Sequence, residues 1–61
     1  FDAHREDPLG GLCLEDEDYS WLGLFVQDQA RIHCAGNTVA LLEGGYNIAA
    51  LARSVQQYLA A

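Results

Sequence analysis

Apolar residues recur at helical spacing in two parts of the chain, and the first part follows the acidic run of residues 15–18. Acidic residues favour the positive end of a helix dipole, so a helix of about sixteen residues is predicted to begin with Glu15 or Asp16 near its N-cap. Gly23 is expected to weaken it by about 1 kcal/mol relative to alanine. Ala35-Gly36-Asn37 is predicted to end it. The predicted apolar face consists of Tyr19, Leu22, Val26, Ala30 and His33, broadened by Trp21, Leu24, Phe25 and Ile32.

The second helical pattern lies near the end of the chain. Asn47 is a favourable N-cap residue, so this helix is predicted to begin directly after it. The apolar residues that share one face of the predicted helix are Ile48, Leu51, Ala52, Val55 and Leu59.

Two shorter segments are predicted as strands. Residues 38–43, TVALLE, are almost continuously apolar, which is typical of a strand buried on both faces of a parallel sheet. Phe1 to His4 reads as the end of an earlier strand. Residues 5–13 are predicted as a loop, because Asp7-Pro8 disfavours helix and Gly10-Gly11 interrupts regular structure.

The order strand end, helix, strand, helix predicts a right-handed βαβ crossover between parallel strands. Parallel strands are covered on both faces, and 61 residues cannot supply that cover. The predicted fold class is therefore α/β, with this chain contributing two strands and two helices to a larger domain. The abrupt beginning at Phe1 also indicates a piece of something longer.

The charge balance narrows the classes of partner. Nine Asp and Glu residues stand against three Arg and no Lys, which argues against nucleic acid or an anionic membrane as the main partner. The chain shows neither a signal-peptide pattern nor an apolar stretch long enough to cross a bilayer, so a soluble, cytoplasmic protein is expected. Cys13 and Cys34 are too few for a disulfide scaffold and are expected to be free thiols.

Candidate chemistry lies where the two predicted strands end, because ligands of α/β sheets gather outside the carboxyl ends of the strands. Asp2, with the loop through Leu9, is expected beside Gly44-Gly45-Tyr46. A carboxylate at a strand end is a suitable Zn²⁺ ligand, although a loop-bracing aspartate is the commoner role. His4 lies where the strand gives way to the loop and is expected to be a hydrogen-bonding loop histidine.

Tyr46 also has two interpretations. Generically it is a core tyrosine, but its O–H could stabilise an oxyanion formed during attack on a carbonyl. The adjacent glycines favour the second interpretation, because they let the backbone approach a ligand closely. Phosphate binding by Gly44-Gly45 is a weaker alternative, since no lysine is present and Glu43 has the wrong charge. The acidic run lacks the spacing of an EF-hand loop and is expected to be a solvated helix start.

Two motifs taken together, FDAHREDPLGGL and LLEGGYNIAALARSV, closely resemble the C-terminal part of zinc-dependent histone deacetylases. The resemblance covers nearly the whole chain and is closest to the branch of bacterial deacetylase-like amidohydrolases, acetylpolyamine amidohydrolases and class II deacetylases. It implies a larger three-layer arginase/deacetylase fold around a mainly parallel sheet. Residues 1–61 then form the C-terminal part of a single catalytic domain.

The resemblance also implies residue roles. Asp2 matches the aspartate that completes the zinc site, whereas His4 matches a position that is not a ligand. Leu9, Gly44 and Gly45 match the wall of the acyl-lysine tunnel. Tyr46 matches the tyrosine that hydrogen-bonds the scissile carbonyl. The implied reaction is metal-assisted hydrolysis of acetyl-lysine or acetylpolyamine amides, with zinc polarising the carbonyl and activating water.

The chain departs from the family pattern by what it lacks. The family's Asp-x-His pair of zinc ligands and its tandem histidine pair do not occur in these residues. Because catalytic zinc sites use three protein ligands, the isolated chain is expected to be neither a zinc protein nor an enzyme. The remainder of the domain is thus an implied partner, and selectivity loops that would define the substrate are not present.

Two other classes of function stay open at this point. One is a non-catalytic remnant or an interaction piece that packs on another chain. The other is a small nucleotide-binding βαβ unit, which predicts nucleotide affinity without zinc.

Overall fold

The computed structural model describes all 61 residues, and its regular structure consists of two helices, α1 (Asp16–Cys34) and α2 (Ile48–Ala60). Glu15 is the N-cap of α1, and its backbone N–H donates to Asp18 Oδ2 at 2.7 Å. Ala35 adopts the left-handed conformation with φ 55° and ends the helix. The Gly36 N–H then donates back to the Ala30 carbonyl at 3.0 Å. The predicted start and end of this helix are confirmed.

The start of α2 is also confirmed. Asn47 has extended backbone angles, and its Oδ1 accepts a hydrogen bond from the Ala50 N–H at 3.0 Å. This bond satisfies one of the N–H groups that a helix start leaves without an intrahelical partner.

The two helices run in the same direction, because their contacts advance together along both sequences. Near its start α1 meets Arg53, and Gly23 one to two turns later meets Tyr58. The Gln27 side chain then donates to the Ala61 carbonyl. Residues 35–47 must therefore return along the length of the helices. Thirteen extended residues reach about 43 Å, which is ample beside an α1 of about 28 Å.

The helices approach closely at Gly23, which is one of four small buried residues. Gly23, Ala30, Ala50 and Ser54 are buried. A Cβ atom at Gly23 would lie 2.5 Å from the Tyr58 carbonyl oxygen and 2.8 Å from the Ala61 Cβ. The glycine predicted as a weak point of α1 is thus the residue that lets α2 pack against it.

The prediction of a strand at residues 38–43 is wrong, because these residues form no strand in the structure. A strand needs a neighbour to pair its backbone N–H and C=O groups, and this chain places none beside the segment. The predicted strand end at Phe1 to His4 forms a single parallel bridge, between His4 and Leu14. Its hydrogen bonds run from Arg5 N–H to Leu14 O (2.8 Å) and from Leu14 N–H to Ala3 O (2.9 Å).

The apolar faces are only partly covered. His33, predicted on the apolar face of α1, is exposed, and so are Trp21, Leu24, Phe25 and Ile32. On α2, Ile48 is 75% and Leu59 is 70% exposed. The buried residues of α2 are instead the small Ala50 and Ser54. An apolar cavity of about 220 Å³ remains, lined by Phe1, Ala40, Leu41, Leu42, Val55, Tyr58 and Leu59.

Cys13 and Cys34 are both free and exposed. Neither helix has the combination of length and apolar character that a membrane span requires.

Candidate functional site

The structure brings the predicted ends of the two strands together. The Phe1 amino group lies 3.4 Å from the Gly44 carbonyl oxygen. The Asp2 carboxylate lies directly against Gly44, where a Cβ atom would be 2.6 Å from Asp2 Oδ2. A Cβ atom at Gly10 would overlap the Asp2 carbonyl oxygen. Asp2 is therefore held between two glycine backbones, one from the loop after it and one from the turn that carries Tyr46.

Asp7 joins that loop to the turn. The sequence analysis did not predict it as a site residue. Its Oδ1 accepts hydrogen bonds from the backbone N–H groups of Leu9 (2.8 Å) and Gly10 (3.0 Å). Its Oδ2 accepts from the backbone N–H of Tyr46 at 2.6 Å. The residue is only 9% exposed. One buried carboxylate thus fixes two segments that lie 39 positions apart in the chain.

The electrostatics of Asp7 follow from these contacts. Burial of the carboxyl acts to raise its pKa, but the N–H donors of Tyr46, Leu9 and Gly10 act in the opposite direction. The net result is a pKa below the usual value of 3.8. Asp7 is consequently a carboxylate at neutral pH, which is the form that accepts all three hydrogen bonds.

Asn47 provides a second link between the same segments. While its Oδ1 caps α2, its Nδ2 donates to the Glu6 carbonyl oxygen at 3.3 Å. The turn of residues 44–47 is therefore attached to the loop at both Tyr46 and Asn47.

His4 is buried beneath the loop, at 1% exposure. Its Nδ1 accepts the Glu6 backbone N–H at 3.1 Å, and its Nε2 lies 2.6 Å from Asp16 Oδ1. Because Nδ1 is an acceptor, Nε2 carries the proton donated to Asp16. Both ring nitrogens are occupied, in agreement with the expected hydrogen-bonding loop histidine.

An ion-pair network continues from His4 to α2. Arg53 Nε pairs with Asp16 Oδ2, and Arg53 Nη2 pairs with Glu6 Oε1, each at 2.9 Å. The hydrogen bond from His4 lowers the pKa of Asp16, burial opposes it, and the bond and charge of Arg53 lower it further. Arg5 adds an exposed pair with Glu15 at 2.7 Å. The network attaches the loop to both helices at a distance from the glycine turn.

Tyr19 supports the start of the chain from below. Its hydroxyl donates to the Phe1 carbonyl oxygen at 3.3 Å, and its ring stacks on Phe1 with centroids 5.1 Å apart. Burial, followed by the charge of Asp2, raises the pKa of this phenol. Tyr19 is thus a neutral hydrogen-bond donor that fixes the backbone immediately before Asp2.

The remaining predicted site residues line the outer side of this arrangement. Tyr46 is 52% exposed, and its hydroxyl makes no hydrogen bond to the chain. Leu9 is 71% exposed, and Gly44 and Gly45 are half-buried. Gly45 has φ 130°, a backbone angle that side chains rarely permit, and its Cα faces Leu51 of α2. The structure therefore leaves the phenol free for a ligand and fixes its backbone.

The Asp2 carboxylate is suited to hold a metal ion together with other ligands. Its side chain is half exposed, and its nearest charged partner is the Phe1 amino group at 3.9 Å. Both oxygens therefore have free lone pairs. No group of three or more His, Cys, Asp or Glu side chains in this chain is placed to hold a metal ion. These residues fit a zinc site as the source of one ligand.

The fold and the site define two helices joined by an irregular connection with a polar glycine turn. Residues 1–61 match the family model described as Histone deacetylase domain. The chain is 44% identical over 61 residues to Type-2 histone deacetylase 1 of Dictyostelium discoideum, covering 100% of this chain and 4% of that protein. It is 46% identical over 54 residues to the "Probable deacetylase" of Methanothermobacter thermautotrophicus, covering 88% and 15%.

Histone deacetylase 10, chloroplastic, of Oryza sativa subsp. japonica is 40% identical over 55 residues, with 90% of this chain and 12% of that protein covered. No solved structure matches the chain. The chain belongs to the histone deacetylase family, as its two motifs predicted. It spans 4% to 15% of the length of these three relatives.

Proposed function

We propose that this chain is the C-terminal part of a zinc-dependent deacetylase domain that hydrolyses acetyl-lysine or acetylpolyamine amides. The observation that carries the proposal is the contact of the Asp2 carboxylate with Gly44, in the turn that presents Tyr46. Family membership and relatives named as deacetylases support the reaction class.

In this proposal Asp2 supplies one ligand, and residues outside this chain supply the others. Zinc, when bound, supplies Lewis-acid polarisation of the amide carbonyl. Tyr46 donates its O–H to the same carbonyl oxygen and stabilises the negative charge that develops there. Its free, half-exposed hydroxyl supports this role, because no partner within the chain competes for the donor.

Leu9, Gly44 and Gly45 are proposed to line the channel for the acylated side chain. Gly44 supports this assignment, because a side chain there would collide with Asp2. The exposed side chain of Leu9 supplies apolar surface next to the turn.

The proposed parent fold is supported by two features: the helices run in the same direction, and residues 35–47 connect the end of one to the start of the other. In a three-layer α/β domain, neighbouring helices on one face of a parallel sheet run in the same direction, and the strand between them runs back. In this proposal residues 38–43 correspond to that strand, and the strands that pair with it belong to the rest of the domain.

The test is the hydroxyl deletion Tyr46→Phe in the whole protein that carries this chain. We expect kcat for an acetyl-lysine peptide or an acetylpolyamine to fall by about 10²- to 10³-fold, as for other single oxyanion donors. A chelator should abolish the wild-type rate, and zinc should restore it. Tyr58→Phe, which removes a hydroxyl from α2, is the matched control and should retain the wild-type rate.

A Tyr46→Phe enzyme with the wild-type kcat would exclude the assigned role. The alternative, a non-catalytic piece that packs on another chain, is favoured by the exposed apolar residues of 38–43. Peptide mapping of the whole protein separates the two proposals. An Asp-x-His and a tandem histidine pair upstream of Phe1 support the enzyme, and their absence supports the alternative.

A further inference from the structure

We propose that Asp7 is a positioning residue for Tyr46, holding the backbone from which the phenol reaches the substrate carbonyl. This inference rests on the proposed function of Tyr46. Asp7 touches neither substrate nor metal in this scheme and acts only through the turn.

The contacts of Asp7 divide between two tasks. Oδ1 holds the loop through Leu9 and Gly10, whereas Oδ2 is directed to Tyr46 at 2.6 Å. Asp7 forms no ion pair with a basic side chain, so its charge is used entirely on backbone N–H groups. Such bonds to a carboxylate are short and stronger than those between neutral groups.

The turn needs this restraint because its other features allow movement. Gly44 and Gly45 have the widest backbone freedom of any residue type, and the Tyr46 ring is half exposed with a free hydroxyl. The Tyr46 N–H precedes α2 and has no partner in the helix, so the Asp7 bond is its fixed point. A misplacement of about 1 Å in a catalytic group can cost about 10²-fold in rate.

A purely structural Asp7, which only shapes the loop, is the competing explanation. Asp7→Asn separates the two roles, because the amide oxygen can still accept from Leu9 and Gly10. The amide nitrogen then faces the Tyr46 N–H, and two donors cannot pair. Asp28→Asn, at an exposed carboxylate of α1 paired with Arg31, is the control for loss of one negative charge.

The experiment is a double-mutant cycle in the whole zinc-loaded protein with an acetyl-lysine peptide, or with the acetylpolyamine if that is the better substrate. In the wild-type background, Asp7→Asn should lower kcat by about 10- to 100-fold with KM within about twofold. In the Tyr46→Phe background, the same change should lower kcat by less than about threefold, because the donor is already gone. Asp28→Asn should change neither constant.

An equal loss from Asp7→Asn in both backgrounds would overturn the proposal, since Asp7 would then act independently of Tyr46. Hydrogen exchange at the Tyr46 amide supplies a readout without activity. The wild-type amide should be protected, and Asp7→Asn should speed its exchange by at least about tenfold.

The exchange measurement also separates the two failures. If the wild-type protein hydrolyses no acetylated substrate, the proposed function fails, and a protected Tyr46 amide still supports the Asp7 link. An unprotected Tyr46 amide in the wild-type protein overturns the inference, even if Asp7→Asn does not fold and whatever the activity.

Discussion

At the scale of single residues, the site depends on how backbone and carboxylate groups meet. Gly44 and Gly10 have no side chains because Asp2 occupies the adjoining space. Asp7 accepts hydrogen bonds from three backbone N–H groups, which do not titrate. Its contribution to stability therefore depends on the charge of Asp7 alone. That simplicity makes Asp7 the cleanest source of a pH-dependent stability effect in this chain.

The predicted pH effect follows from the lowered pKa of Asp7. In the unfolded chain this carboxyl binds a proton near its usual value of 3.8, whereas the folded form stays ionised to lower pH. The stabilisation is therefore complete above the unfolded pKa and is lost as pH falls through the lower, folded pKa. The acid limb of the wild-type stability curve should be steeper than that of Asp7→Asn.

Urea unfolding of both proteins at a series of pH values between neutral and 3 would measure this difference. The stability gap between them should be constant from pH 7 to about 5 and should narrow below about 4. A gap that stays constant down to pH 3 would show that the Asp7 carboxyl is not held ionised by the turn.

The sequence analysis predicted candidate site residues at the ends of the predicted strands. The structure places Asp2 against Gly44, although residues 38–43 before that glycine form no strand. The sequence analysis did not predict Asp7, because the contact that links Asp7 to the turn is with the Tyr46 N–H, 39 residues away. Asp-Pro-Leu-Gly did carry one local signal, since an aspartate there can accept the N–H groups two and three residues on.

At the scale of helices, local chemistry was sufficient to predict where both helices begin and where α1 ends. Acidic residues, an asparagine cap and an Ala-Gly-Asn stop act within a few residues of the chain. The side of each helix that is buried was less predictable. It depends on what packs against the helix, and in α2 the buried residues are Ala50 and Ser54, whereas Ile48 and Leu59 are exposed.

Gly23→Ala tests the close approach of the helices. Alanine favours helix by about 1 kcal/mol over glycine, so propensity alone predicts a gain. The added methyl would lie 2.5 Å from the Tyr58 carbonyl oxygen, a backbone atom that cannot move without shifting α2. Overpacking of this kind commonly costs about 1 to 3 kcal/mol, and we expect a net loss.

Chemical unfolding of the whole protein would measure the free-energy change of Gly23→Ala. Gln29→Ala, at an exposed position of the same helix, is the control and should be neutral or slightly stabilising. A stabilised Gly23→Ala protein would mean that α2 does not pack across this glycine.

At the scale of the whole molecule, the chain has two helices and no sheet. The helices run in the same direction, and residues 38–43 return between them with no strand on either side. Their apolar side chains are open, with Val39 87% and Leu41 79% exposed. We attribute the predicted buried strand to the environment of the proposed larger domain, because these 61 residues place no pairing partner beside residues 38–43.

Hydrogen exchange of residues 38–43 tests this explanation directly. In the whole protein, neighbouring strands should pair the backbone N–H groups of the segment, so these amides should be among the slowly exchanging ones. In the isolated chain the same amides have no partners and should exchange at close to the rate of an unfolded peptide. The helix amides of residues 24–30 in the whole protein serve as an internal reference for slow exchange.

Fast exchange of residues 38–43 in the whole protein would contradict the proposed sheet, because the segment would then be a solvent-exposed connection there too. Slow exchange in the isolated chain would indicate instead that residues 38–43 of two copies pair with each other, since no other chain is present. Repeating that measurement at a tenfold lower chain concentration separates the cases. Protection that depends on concentration identifies self-association, whereas protection in the whole protein alone places the strand in the deacetylase domain.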